Sequence, residues 1–349
     1  MRKAVIGVLG AVASLLVAPV MAQEMVETAT IADIVVASAT GETPEFSTLL
    51  AAVQLADPAV LEALSNPEAE LTVFAPTDAA FAALAEALGE EAFNAVLADT
   101  EFLTSVLLYH VVGEVLMSTD VVAALDTVAE VQEAWGLASA TVSIETLLGQ
   151  SIDFAYTEDG ISVDGANIVL EMVDIQAANG VIHVIDAVLL PETRTIAELA
   201  GAAAEMADSG FGTILSLIGA ASPVVVETAA DAEAEVTIFV PTDEAFAALI
   251  EALGEETVNA IAGDPGMLTT VLGYHVVPGR VSSTALAALL EENGGTVEVT
   301  TAMGATFTVT LDMERGILIN DTARIILTDL DAANGVIHVI DAVLVPPME

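Results

Sequence analysis

The stretch Ala177–Leu189 reads AANGVIHVIDAVL, and the same thirteen letters return 155 positions later at Ala332–Leu344. An exact run of that length does not come from shared composition, even in a chain rich in Ala and Val. It marks the end of two copies of one unit, and a repeat of this period has to be settled before any other reading. Asn179-Gly180 suits a tight hairpin turn in which both residues take positive φ. Val181–Leu189 then offers apolar side chains to both faces, the pattern of a strand covered on two sides. Each unit is therefore expected to close on a turn that feeds a buried strand.

Working outward, the copies align at an offset of 165 through their first halves. Thr30-Ile31-Ala32 returns as Thr195-Ile196-Ala197, Phe46 as Phe211, and Thr72–Asp78 (TVFAPTD) as Thr237–Asp243 (TIFVPTD). Tyr109-His110-Val111-Val112 returns as Tyr274-His275-Val276-Val277. The offset then falls to 155, so the first copy carries about ten extra residues between His110 and Gly149, including the single tryptophan, Trp135. The domains are placed at 28–191 and 195–346. A linker of Pro191–Arg194 reaches no further than about 14 Å, so the two units should be close neighbours.

Residues 1–22 lie outside the expected fold. Arg2-Lys3, the apolar run Ala4–Val20 and the small-residue site ending at Ala22 read as a secretory signal peptide cleaved after Ala22. No later segment is long and apolar enough for a membrane span, so a secreted or periplasmic protein is expected. The chain has no cysteine, which excludes disulfides, thiolate catalysis and Cys-ligated metals. It holds 6 Lys+Arg against 52 Asp+Glu, a formal net charge of −46, while 55% of its residues are hydrophobic. That combination describes a well-cored protein under an acidic coat, and it excludes nucleic acid and anionic lipid as partners. Salt or divalent cations should relieve the self-repulsion.

Within a copy, helices come first and strands last. Thr30 caps a helix from Ile31; Phe46, Leu49, Leu50 and Val53 form a helical face; Asp57-Pro58 starts another helix. Leu71–Phe74 reads as a short strand. Thr77 or Asp78 then caps a helix with the inward stripe Phe81, Leu84 and Leu88, stopped by Gly89. From Val142 onward, β-branched runs alternate with turn signals at Glu158-Asp159-Gly160 and Asp164-Gly165. Segregated helices and strands define an α+β class.

Catalytic signatures are missing: no G-x-S-x-G, H-E-x-x-H, P-loop or EF-hand loop occurs, so no enzyme, cofactor or metal centre is expected. His110, His183, His275 and His338 are the only histidines, two at equivalent places in each copy. They read as core histidines held by hydrogen bonds rather than as halves of a metal site. Thr77-Asp78 and Thr242-Asp243 read as helix caps. Asp186 and Asp341, inside the repeated stretch, should bond a neighbouring backbone group.

TVFAPTDAAF (72–81), LLYHVV (107–112) and NGVIHVIDAVL (179–189) resemble, in order and spacing, the three motifs of fasciclin (FAS1) domains. The second copy matches at 237–246, 272–277 and 334–344. The resemblance covers nearly all of the chain beyond the signal peptide. It implies two tandem domains, each a β-wedge or sandwich with helices packed at one side, in a protein of cell adhesion or extracellular scaffolding. In animal members partner contacts are tied to the Tyr-His region and to an Asp-Ile pair before the last motif. Carried over here, these are Tyr109, His110, Tyr274 and His275, with Asp174-Ile175 and the departing pair Asp329-Leu330. The implied partner is a cell-surface or matrix protein or polysaccharide, with Ca²⁺-assisted contacts to the acidic surface. The alternative is a carrier of a small apolar ligand; an interior tunnel would favour it, and a loop-decorated surface would favour adhesion.

Overall fold

The computed structural model describes residues 29–347 except 42–43, 136–140, 159, 207–208, 222 and 313; the expected signal peptide lies outside these residues. The first unit opens with helices α1 (Ile31–Ala39), α2 (Ser47–Leu55) and α3 (Pro58–Ser65). Thr30 starts α1 through a capping box: its Oγ1 accepts from Asp33 N–H at 3.3 Å, and Asp33 Oδ2 accepts from Thr30 N–H at 2.9 Å. Asp57 caps α3 at Ala59 N–H, 2.8 Å, with Pro58 in the first helical position. Strand β1 (Leu71–Pro76) is buried along its whole length. Helices α4 (Asp78–Leu88), α5 (Glu90–Ala98) and α6 (Thr100–Tyr109) follow, then β2 (Val111–Val112) and α7 (Ser118–Trp135). Strands β3 (Thr141–Glu145), β4 (Ser151–Thr157), β5 (Gly160–Val163), β6 (Ala166–Asn167), β7 (Ile175–Ala177) and β8 (Gly180–Ile185) close the unit. The fold is α+β, as the order of elements implied.

The second unit repeats this as α8 (Ile196–Glu205), α9 (Gly212–Ala220), α10 (Pro223–Ala230), β9 (Val236–Pro241), α11 (Asp243–Leu253), α12 (Glu255–Gly263), α13 (Pro265–Tyr274), β10 (Val276–Pro278) and α14 (Ser283–Glu292). Strands β11 (Thr296–Thr300), β12 (Thr306–Asp312), β13 (Gly316–Ile319), β14 (Ala323–Ala332) and β15 (Gly335–Ile340) complete it. The extra residues of the first copy extend one helix: α7 and α14 begin at equivalent serines, Ser118 and Ser283, but α7 runs 18 residues against 10.

The repeated stretch does form a hairpin and a strand buried on both faces, but the turn differs from the expected one. Ala177 pairs with Gly180 across the β7–β8 hairpin, so the turn residues are Ala178-Asn179 and the glycine is the first strand residue. Gly180 has φ +148°, and a Cβ on it would lie 1.9 Å from the Leu71 carbonyl oxygen; Gly335 would meet Val236 oxygen at 2.0 Å. The glycine is there for close approach of two backbones. Asn179 is buried and works as a staple. Its Oδ1 accepts from Ile31 N–H at 2.8 Å, and its Nδ2 donates to Leu64 and Asn66 oxygens at 2.9 and 3.0 Å. Asn334 repeats this with Ile196, Ala229 and Asp231.

Each last strand pairs in parallel with the first: β8 with β1 from Leu71↔Gly180 to Pro76↔Ile185, and β15 with β9. In the first unit the strands fall into two sheets, β2-β1-β8-β7 and β3-β4-β5-β6. In the second, ten-residue β14 spans the gap with register shifts and makes one seven-stranded sheet. Asp186 and Asp341 lie just past the strand ends and are exposed, not buried; they accept from Asn167 and Arg324 N–H, both at 2.7 Å. Leu88, the outer end of the expected α4 stripe, is likewise exposed, whereas Phe81 is buried.

The linker is tied to both units. Glu192 N–H donates to Gln150 Oε1 (2.9 Å), Gln150 Nε2 donates to Glu192 oxygen (2.7 Å), and Ala333 N–H donates to Arg194 oxygen (2.8 Å). Two further bonds cross directly between units: Ser151 N–H to Asp331 Oδ2 (2.7 Å) and Ser282 Oγ to Glu145 Oε2 (2.9 Å).

Candidate functional site

The four histidines are saturated by main chain. His110 Nδ1–H donates to Val106 oxygen (2.7 Å), and its Nε2 accepts from Leu189 N–H (3.0 Å). His275 does the same with Val271 (2.8 Å) and Leu344 (3.0 Å). His183 and His338 use the other tautomer: Nε2–H donates to Leu116 or Val281 oxygen, and Nδ1 accepts from Asp174 or Asp329 N–H. Burial holds His110 and His275 neutral, with pKa values pushed down to about 4.

The two Asp pairs are structural before they are anything else. Asp174 and Asp329 sit in the left-handed region, both at φ +57°, where a short acid is tolerated. Asp174 accepts from Ser118 N–H (2.7 Å) and Ser118 Oγ (2.5 Å), capping α7 from across the fold. Asp329 accepts from Ser283 N–H (2.8 Å) and caps α14. Asp329 is only 5% exposed, and its Oδ2 is buried with no hydrogen-bond partner. Of the pairs' apolar members, Ile175 is half-buried and Leu330 is exposed.

The structure brings Tyr109, His275, Asp329 and Leu330 to one place, the wall of a cavity of about 760 Å³ at the junction of the two units. Asp174, Ile175, His110 and Tyr274 are not part of that wall. Tyr274 instead donates its hydroxyl to Thr306 oxygen at 2.8 Å inside the second unit. One end of the cavity is apolar and lies under α8, α9 and α10, lined by residues such as Ile196, Ile214, Ile218, Val225, Ile337 and Val339. In the first unit the matching helices close on a single core that takes in Val35, Val53 and Leu64. In the second the same region is split into two clusters, and Val35 and Leu64 are replaced by Ala200 and Ala229, which both line the cavity.

The other end is polar. Tyr109, Ser151, Asp153 and Asp164 reach it from the first unit; Asp329 and Asp331 reach it from the second. The Tyr109 hydroxyl lies 2.6 Å from Asp164 Oδ2 and 3.0 Å from Ser151 oxygen, and burial beside Asp164 raises its pKa. Burial also raises the carboxyls of Asp153 and Asp164. Burial pushes Asp331 up to about 7, although the Arg280 guanidinium touches it and pulls the other way. Arg280 Nη2 also donates to Ala332 oxygen (2.6 Å). No local pattern signals this meeting, because Tyr109 and Asp164 are 55 residues apart and Ser151 and Asp331 are 180 apart. Among the described residues no group of three or more His, Cys, Asp or Glu is placed to hold a metal, and no helix is long and apolar enough to cross a membrane.

Two tandem α+β units, each closed by a last strand lying parallel to its first and clamped by two buried histidines, define a duplicated domain class. The fasciclin-domain family model matches residues 44–191 and 209–346. The chain belongs to the fasciclin family. It is 36% identical over 140 residues to protein sll1483 of Synechocystis sp., covering 40% of this chain and 71% of that one. It is 29% identical over 286 residues to transforming growth factor-beta-induced protein ig-h3 of Sus scrofa, covering 80% of this chain but 36% of that protein. Cell surface glycolipoprotein MPB83 of Mycobacterium bovis is 30% identical over 115 residues, 33% of this chain and 46% of its own. Among solved structures, a FAS1 domain pair from the insect cell adhesion molecule fasciclin I aligns at a TM-score of 0.40 and 19% identity, covering 87% of this chain and 98% of that one.

Proposed function

We propose that the protein is an exported, non-enzymatic adhesion or scaffolding module that binds cell-surface or matrix protein or polysaccharide. The observation that carries this reading is the family membership of both units, whose relatives include a cell surface glycolipoprotein. The contact surface is the exposed edge around Leu330 and Leu327, 40% and 43% exposed, with Ile175 its counterpart in the first unit. Asp174 and Asp329 hold that edge in shape through their caps, and their N–H groups donate to His183 and His338 Nδ1. A chain with 52 acidic residues, 6 Lys+Arg and no lysine after Lys3 approaches an acidic envelope only when cations intervene. The Debye length falls from about 30 Å at 0.01 M salt to about 3 Å at 1 M. Attachment of labelled protein to envelope fragments should therefore rise with salt, and more steeply with Ca²⁺, which bridges carboxylates through oxygen. Leu327→Asp should weaken it. Attachment that is absent under every ionic condition removes this reading.

A second reading, a carrier of a small apolar ligand, is supported by the cavity under α8–α10. Its volume lies within the roughly 300–1,000 Å³ usual for ligand sites. It predicts uptake that is insensitive to Ca²⁺ and to Leu327→Asp, since Leu327 is exposed and does not line the cavity.

A further inference from the structure

Asp329 and Asp174 occupy equivalent positions with the same backbone, yet their carboxylates are not treated alike. In the first unit both oxygens of Asp174 are used, one by Ser118 N–H and one by Ser118 Oγ. In the second, Oδ1 of Asp329 takes Ser283 N–H and Oδ2 is left without a partner, although the residue is 5% exposed. Leaving a buried carboxylate oxygen unmatched costs more than leaving a neutral group so, and a fold keeps one where something else supplies the donor. Asp329 lies on the cavity wall, at the end where Asp153, Asp164 and Asp331 also converge. Arg280 is spent on Asp331 and the Ala332 carbonyl, and Arg194 on Glu192. The polar end thus carries an excess of acid and an unmet need for a donor, while the other end is apolar.

We propose that this cavity binds an amphiphile with a primary ammonium head and an apolar tail, the head donating to Asp329 Oδ2 and the tail lying under α8–α10. The proposal rests on the carrier reading and adds the chemistry of the ligand to it. An ammonium matches the site in number as well as sign: it offers three donors, and Asp329 Oδ2 and the neighbouring carboxylates are acceptors. A fatty acid would set a further negative charge among four aspartates. A neutral alcohol offers one proton and no charge.

The test is calorimetric titration of the full mature chain with dodecylammonium, dodecanol and dodecanoate, all below their aggregation limits. High salt suppresses adsorption of the cation to the acidic surface. One dodecylammonium per chain is expected, bound more tightly than dodecanol, with dodecanoate weakest. Asp329→Asn keeps the Oδ1 acceptor that caps α14. It should weaken dodecylammonium roughly ten- to a hundredfold, the loss of one charge-assisted hydrogen bond, and leave dodecanol unchanged. Ala229→Leu, which restores the residue of the first unit, should abolish binding of all three. If dodecanol binds as tightly as dodecylammonium and Asp329→Asn changes neither, the ammonium site is overturned while the carrier reading stands. If no probe binds, or binding is multiple and indifferent to Ala229→Leu, both fail.

Discussion

His110 and His275 each join a helix end to the segment after the last strand, and the bond pattern requires the ring to be neutral. Replacing either by Ala removes a buried donor and a buried acceptor and opens a small cavity, which should destabilise its unit by about 1–3 kcal/mol. The pH dependence has a definite sign. A folded pKa of about 4 against an ordinary 6.5 means that the unfolded chain takes up the proton first. The stabilisation is fully present above about pH 6.5 and is lost as pH falls through about 4. Denaturant titrations should therefore show the deficit of His110→Ala at neutral pH shrinking towards pH 4. A deficit that is constant with pH would mean that the ring titrates freely. The structural role of these residues was legible in the sequence, since each histidine sits among β-branched neighbours at a repeated position. The burial of Asp329 was not legible, because an Asp before the last motif looks the same whether its carboxylate is wet or dry.

At the scale of elements, the parallel pairing of β8 with β1 organises each unit, and Gly180 is the point where it is most sensitive. Gly180→Ala sets a methyl carbon 1.9 Å from the Leu71 oxygen and also penalises φ +148°. It should cost well over the roughly 1 kcal/mol of an ordinary backbone conflict and show as lost amide protection across Leu71–Pro76 by hydrogen exchange. Ala229→Leu has the opposite sign: filling the apolar end of the cavity should stabilise the second unit by up to about 1.5–3 kcal/mol, read as a higher midpoint in urea. Caps and stripes were readable here. Thr77 and Thr242 cap the helices expected of them, and Phe81 and Phe246 face inward. The second use of Asp78 was hidden: it caps α2 through Ser47 and Thr48 N–H at 3.2 and 2.7 Å, a contact between segments that no local pattern records. The parallel register was hidden for the same reason. Burial on two faces shows that a strand is covered, but not which strand lies beside it. Nor does an alanine at 200 or 229 stand out in an alanine-rich chain; only the comparison with Val35 and Leu64, once both cores are seen, gives it meaning.

At the scale of the molecule, the junction is itself a pH-dependent contact. Asp331, raised to about 7 from 3.8, favours the protonated, docked form. Its contribution is fully present below about pH 3.8 and declines as pH rises through about 7, opposite in sign to the histidines. Calorimetry of the intact chain should show the two units melting closer together at mildly acid pH and separating at alkaline pH, and Asp331→Asn should remove that trend. Either half, cut near Glu192, is expected to fold alone, since each has its own sheet and core and an ordinary domain size; random-coil circular dichroism from both halves would refute this.

The Asn staple and the parallel strand together fix how tension passes through the protein. Each unit is hooked at its entry, where Asn179 or Asn334 holds the first helix to the start of the last strand, and the chain leaves beyond the far end of that strand. A pull on the two ends therefore runs along β8 or β15, and the parallel neighbour carries it in shear. The hydrogen bonds from Leu71↔Gly180 to Pro76↔Ile185 are then loaded together rather than opened one after another. A unit threaded in this way closes as a clasp does, and stretching it has to break the whole ladder at once.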